Sequence, residues 1–438
     1  MLIEFCSQIQ NAPFLRFFGR VGKVHRDSVV AYLPGVRVGA LCRVETEGRS
    51  LPIEIVSLSH DGHVGMPLND LRGVQLGDRV MLMEDSASIR VGDGLIGQVV
   101  DSLMVPYESS IPLVLPEELP LYGSKLNPLE RSLIDKPLDL GIRAINACLT
   151  CGQGQRQGIF AGSGVGKSVL LGMMARFTRA DVVVIALIGE RGREVKEFIE
   201  QELGEEGRKR AVVVVETAER SAVRRVRGAF AAATVAEYFM KKGAHVLLLM
   251  DSLTRFAMAQ REIGLTAGET PTTKGYPPSA FSRLPALLER AGNWSAKGSL
   301  TGLYTVLVEG DDMDDPVADS CRAILDGHVV LSRKLAHRGH YPAVDVLSSV
   351  SRVMDRVVSK DQIRLSSALR QILARYQENE DAILYGMYQK GSDPLIDECI
   401  ERQPQIRRFL QQGREERSSL QEAEVGLDNL FASDKGDA

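Results

Sequence analysis

A chain of 438 residues with 44% hydrophobic and 25% charged residues has the composition of an ordinary globular protein and the length for more than one domain. Its formal net charge of −4 argues against non-specific nucleic-acid binding, which depends on basic surface. No apolar run reaches the ~18 residues that span a bilayer, and MLIEFCSQIQ lacks the basic start and apolar core of a signal peptide, so a soluble, cytoplasmic protein is expected.

Residues 1–18 carry scattered apolar side chains and are expected to form either a strand lead-in or a partner-binding arm. From 19 to 100, short β-rich runs such as VVAYL (29–33) and RVMLM (79–83) alternate with glycines, which predicts a small β-barrel. Residues 101–140 hold six prolines and read as an extended linker. Cys148 and Cys151 form a lone C-x-x-C. With no second pair or histidine cluster near, they are expected to be buried small residues, and the other four cysteines are isolated.

From 141 to 358, apolar strands at 157–161, 181–188, 211–216, 246–250, 303–308 and 328–332 alternate with helices at 167–177, 195–202, 222–242, 281–291 and 317–324. That alternation predicts an α/β core with a parallel sheet. Residues 359–438 read as a helical domain with breaks at Pro394 and Pro404 and a frayed end.

The chemistry concentrates in the core. Gly158–Ser168 is a strand, a glycine-rich turn and a Gly-Lys-Ser leading into a helix. This is the P-loop pattern, with Ala161 where the strict form has glycine. The expected nucleotide cradle is Gly162, Ser163, Gly164, Val165, Gly166, Lys167, Ser168 and Val169, with backbone N–H groups on the phosphates. Lys167 would reach the β- and γ-phosphates, and Ser168 would hold Mg²⁺. Strand 181–188 runs into Gly-Glu190-Arg191, which puts a carboxylate beside the loop, suited to polarising the attacking water. Strand 246–250 ends in Asp251, a Walker B pattern and a second candidate for Mg²⁺. Arg220, Arg224, Arg225 and Arg227 form a basic run without interleaved aromatics, and are expected on a solvated or subunit-facing side of their helix. Residues 311–316 lack EF-hand spacing and are expected to cap a helix.

With these residues in place, the chain resembles the catalytic ATPase of bacterial type III protein export, a family similar to the catalytic subunits of rotary ATP synthases. The resemblance spans nearly the whole chain and rests on AGSGVGKS (161–168), LIGERGREVKEF (187–198), LLLMDSLTRFAMAQREIG (247–264), TTKGYPPSAFSRLPALLERAG (272–292), LVEGDDMDDPVAD (307–319), ILDGHVVLSR (324–333) and HYPAVDVLSSVSR (340–352). It implies a RecA-like P-loop core and ATP hydrolysis with Glu190 as catalytic glutamate, Arg191 and Arg255 near the γ-phosphate, Tyr341 against adenine, and Arg352 as an arginine finger for the neighbouring subunit. The second aromatic near adenine is replaced here by Gln412 or Arg414.

Glu190 and Arg352 in one chain imply a homohexamer in which every interface is catalytic. The resemblance further implies a coiled-coil central stalk at 264–278 and 311–315, and a stator-like regulator at the N-terminal arm. Export chaperones and cargo would meet the C-terminal helices, and the ring would associate peripherally with a membrane export gate. GSDPLID (391–397) points to the flagellar branch over the injectisome. The rivals are a rotary or vacuolar-type ATPase subunit, a ring-shaped RNA translocase, and a non-catalytic nucleotide-binding module.

Overall fold

The computed structural model describes residues 18–109, 111–123, 128–294, 298–308, 310 and 312–432. The expected N-terminal arm lies outside the described residues apart from Phe18, as do Asp311 and the last six residues.

Strands Phe18–Val24, Val29–Tyr32, Leu41–Thr46, Arg49–Ser59, Gly62–Pro67 and Arg79–Glu84 close into a barrel in the order first, second, fifth, fourth, third, sixth. Alternating side chains, including Val29, Ala31, Val44, Ile53, Ile55 and Val80, fill its interior and are almost fully buried. The barrel is complete at Glu84. Val99 and Val100, expected with it, instead pair in parallel with Val213 and Val214 at the edge of the large sheet. The proline-rich stretch is not wholly laid over the surface, since Met104, Leu115 and Leu121 are buried in the main core.

The large sheet runs Val344–Ser351, Gly327–Leu331, Arg156–Ala161, Ser299–Leu307, His245–Asp251, Val182–Ile188, Ala211–Glu216 and Val99–Val100. Its pairings along this path are parallel except at Val344–Ser351, which returns antiparallel. Strand Val182–Ile188 is buried at all seven positions, because helices cover both faces of a parallel sheet. The helix Ala222–Lys241 crosses one face on an alanine-rich surface. The helix expected at 195–202 is helix Gly192–Glu197 followed by a π-helical turn, Phe198–Leu203.

The basic run on Ala222–Lys241 is not a solvated side. Arg224 and Arg227 are buried. Arg224 pairs with Glu216 and Asp101 and donates to Asn69 Oδ1 at 3.1 Å. Arg227 meets Glu54 of the barrel at 2.9 Å, and Tyr122 donates to the same carboxylate at 2.6 Å. Charges buried to this degree persist only when paired and hydrogen-bonded, so these arginines fasten the barrel to the core.

The C-terminal helices are Lys360–Leu384, Pro394–Leu410 and Leu420–Asn429. Pro394 starts its helix, where a missing N–H costs nothing, but Pro404 does not end it. Cys399 before Pro404 and Ile406, Phe409 and Leu410 after it are buried in the cluster joining helices to core, and that packing outweighs the lost backbone bond. Cys148 and Cys151 are buried free thiols, their pKa values pushed up to about 11 and about 12 by burial. Asp315 caps helix Pro316–Ile324 by accepting from Val317 and Ala318.

Candidate active site

The site forms where three strands of the large sheet end. Arg156–Ala161 runs into the glycine turn, in which Gly164 and Gly166 hold positive φ of 77° and 85°. Helix Lys167–Phe177 starts immediately after, aiming its N-terminus into the turn. Val182–Ile188 delivers Glu190 through Gly189, and His245–Asp251 delivers Asp251. A Cβ on Gly189 would stand 2.8 Å from Arg255 Cβ, so only glycine allows this approach to helix Leu253–Thr266.

Lys167 Nζ lies 2.5 Å from Asp251 Oδ1 and 3.8 Å from Glu190 Oε1. All three side chains are largely buried, with exposures of 12% for Lys167, 7% for Asp251 and 15% for Glu190. Thr305 Oγ1 donates to the same Asp251 oxygen at 2.7 Å. Glu190 is pushed up to about 7, first by burial and then by the charge of Asp251, against the opposing pull of Lys167. A carboxyl poised near neutrality, next to a phosphate cradle, has the proton affinity a general base needs. The donors for a divalent ion are the Asp251 carboxylate and the exposed Ser168 hydroxyl, hard oxygens of the kind magnesium takes, with the rest of its shell left to water and phosphate. Among the described residues no cluster of three acidic, histidine or cysteine side chains forms a self-sufficient metal cage.

Tyr341 is half exposed and packs beside Gly166, whose notional Cβ would lie 3.4 Å from the ring. Its carbonyl accepts from Gln412 N–H at 3.0 Å. The Gln412 side chain is engaged within the chain. Its buried amide accepts from Arg143 N–H at 2.7 Å and donates to Gly141 O at 2.8 Å and Glu416 O at 2.6 Å. Arg414 is engaged too, with Glu202 and Gln201 O. Arg255 sits against Gly189 with its Nε buried and without a hydrogen-bond partner among the described residues. Arg191 is exposed, 3.7 Å from Glu194.

Arg352 stands apart. Its N–H donates to Asp326 O at 3.0 Å, and Asp326 bonds Arg156 at the start of the P-loop strand. The glycine turn begins at the other end of that six-residue strand, roughly 20 Å away. Residues the sequence reading passed over include Thr305, which steadies Asp251 from inside an apolar strand. A threonine in such a run is an ordinary strand residue, so nothing flagged it.

Residues 141–351 match the nucleotide-binding domain of the ATP synthase alpha/beta family, and residues 358–429 match the T3SS EscN ATPase C-terminal domain. The flagellum-specific ATP synthase of Pseudomonas aeruginosa is 50% identical over 90% of this chain and 89% of that one. The chain belongs to the type III export ATPase family. The flagellum-specific ATP synthase of Salmonella typhimurium is 46% identical over 98% of this chain and 97% of its own. The type 3 secretion system ATPase of Sinorhizobium fredii is 47% identical over 92% of this chain and 90% of its own. The assembled ATPase EscN of enteropathogenic E. coli superposes with a TM-score of 0.89 at 43% identity, covering 94% of this chain and 99% of that one. A second EscN structure, with its central stalk EscO, gives 0.87. As a member of this family the chain is an ATPase, with the barrel, parallel-sheet core and helical C-terminus of its relatives. No helix among the described residues is long and apolar enough to cross a membrane.

Proposed function

We propose that this type III export ATPase hydrolyses MgATP at sites shared between neighbouring copies in a homohexameric ring. The observation that carries the reading is the placement of Glu190 and Arg352 at opposite ends of the P-loop strand. An arginine roughly 20 Å from its own glycine turn serves the site of the next copy. The N–H groups of 162–169 cradle the phosphates, and Lys167 leaves Asp251 to neutralise them. Ser168 and Asp251 would hold Mg²⁺, which supplies charge neutralisation across the phosphates. Glu190 takes the proton of the attacking water, and Arg191 and Arg255, neither held by a buried carboxylate, face the charge that develops. Tyr341 packs on adenine.

The free energy released is directed to chaperone release, unfolding and export of protein cargo. The flagellar branch is favoured over the injectisome on the stretch GSDPLID. A central stalk enters against 264–278 and 312–315. Lys274 links these two segments, at 3.4 Å from Asp312 and 3.6 Å from Asp315. A stator-like regulator engages the N-terminal arm, and the ring works in the cytoplasm against the membrane export gate. The test is Arg352→Ala, which is expected to keep ATP affinity and lose about 10³-fold or more in turnover. Near-normal hydrolysis by that variant refutes the shared site.

A further inference from the structure

We propose that Asp326 is a positioning residue for the finger, holding Arg352 against the foot of the P-loop strand. The inference rests on the reading of Arg352 as a finger acting in trans.

The Arg352 side chain has little to orient it. It is exposed, and its guanidinium makes one long contact, to Arg322 O at 3.4 Å. Its aim is set through the backbone, and the backbone is held at Asp326. The Asp326 carbonyl accepts from Arg352 N–H at 3.0 Å and from Gln155 Nε2 at 3.1 Å. The same Gln155 nitrogen lies 3.2 Å from Ser351 Oγ, which donates to Thr150 O at 2.9 Å.

Asp326 is itself clamped. Arg156 donates to its carboxylate from the backbone N–H at 3.0 Å and from Nε and Nη2 at 2.9 Å each, while Asp326 N–H donates back to Arg156 O at 2.8 Å. A planar guanidinium fork on a carboxylate fixes orientation as well as distance. Gly327 completes the seat. At φ +155°, a Cβ there would stand 2.5 Å from Val350 O and 3.0 Å from Ser351 Cα, so only glycine lets the finger segment lie this close.

Asp326 touches neither nucleotide nor reacting atoms in this arrangement. It acts through Arg352, and the strand it grips carries the P-loop at its far end. The finger lent to one neighbour is therefore seated on the strand that presents the phosphates bound by its own chain.

The experiment is complementation in the full-length protein. Asp326→Asn alone is expected to keep the KM for ATP within about twofold and to lose about 10–100-fold in kcat, as a misplaced group does. Glu190→Gln alone is inactive but keeps its finger. In a 1:1 mixture about a quarter of interfaces join an intact Glu190 site to an intact finger, so turnover is expected to recover to about a quarter of the unmodified level. Arg352→Ala mixed with Glu190→Gln is the control. Recovery in the control but not with Asp326→Asn overturns the positioning role and leaves the shared site standing. Recovery in neither mixture removes the shared site and this inference together. If Asp326→Asn does not assemble, Ser351→Ala takes its place. It removes one partly buried hydroxyl contact, is expected to lose several-fold in kcat at unchanged KM, and is expected to be rescued by Glu190→Gln in the same way. An unchanged kcat, or loss without rescue, overturns the inference.

Discussion

Replacing Glu190 by glutamine should make the ligand-free protein more stable while abolishing turnover, and the gain should depend on pH. Glu190 is held at about 7 against an ordinary 4.5, because burial and the Asp251 charge disfavour its ionised form. A carboxyl whose folded pKa lies above its unfolded one binds its proton more tightly when folded. It therefore costs nothing below about 4.5, costs more as pH rises towards 7, and costs its full amount above that. The gap between 4.5 and about 7 corresponds to about 3 kcal/mol at most. The neutral glutamine avoids this cost and keeps the shape. Thermal unfolding without nucleotide or divalent ion should therefore show Glu190→Gln melting above the unmodified protein at pH 8, with the difference shrinking towards pH 5. A variant less stable at pH 8, or a difference that does not vary with pH, would refute the reasoning. In the active protein the same ionisation should appear as a rising limb in kcat/KM with an apparent pKa near 7, since that ratio reports the free enzyme.

Three other expectations can be checked on the same material. Glu54→Leu leaves the buried guanidinium of Arg227 unpaired and should cost about 3–5 kcal/mol in denaturant unfolding, with loss of protection in the barrel strands by hydrogen exchange. Gln412→Leu removes the amide that ties the Tyr341 loop to Gly141 and Arg143, so the KM for ATP should rise about fivefold with kcat nearly kept, the cost of about one hydrogen bond. Tyr341→Ala should raise that KM further and narrow the preference for ATP over GTP, measured as the ratio of the two kcat/KM values.

The parallel strands of the core were legible because their signal is local: continuous apolar runs with the chemistry at their ends. Ala211–Glu216 and helix Lys167–Phe177 lie where the sequence places them. What escaped was decided by distant partners. Arg224 and Arg227 look like any basic helix face until Glu216, Asp101 and Glu54 close on them from other segments. Val99 and Val100 fell inside the expected bounds of the barrel, because a two-residue strand has no period to show which sheet it joins. Pro404 carries a strong breaker signal, and packing of its helix in the cluster that joins the C-terminal helices to the core overrides it. At the site, Lys167, Glu190 and Asp251 were named from strand ends, whereas the seat of Arg352 depends on Asp326 and Gln155, which immediately precede two separate strands of one sheet.

The arginines sort themselves by what holds them. Arg156, Arg224, Arg227 and Arg290 are each engaged by a carboxylate within the chain, and a guanidinium so occupied has no charge to offer a ligand. Arg255 is different: its Nε is buried with no hydrogen-bond partner among the described residues, beside the loop that carries Glu190. An unsatisfied buried donor costs about 1–3 kcal/mol, so its persistence at this place is understandable if the partner arrives from outside. Arg352 is weakly held at the surface, since among the described residues its guanidinium makes a single long bond, to the Arg322 carbonyl. A phosphate group needs charge from both sides as its bond to the leaving group breaks. On the proposed reading one chain supplies Lys167 and Arg255 from one side and, at the far end of its P-loop strand, holds the exposed Arg352 for a neighbour. The division of arginines into paired and unpaired thus agrees with the proposal that the site is completed across a boundary between copies.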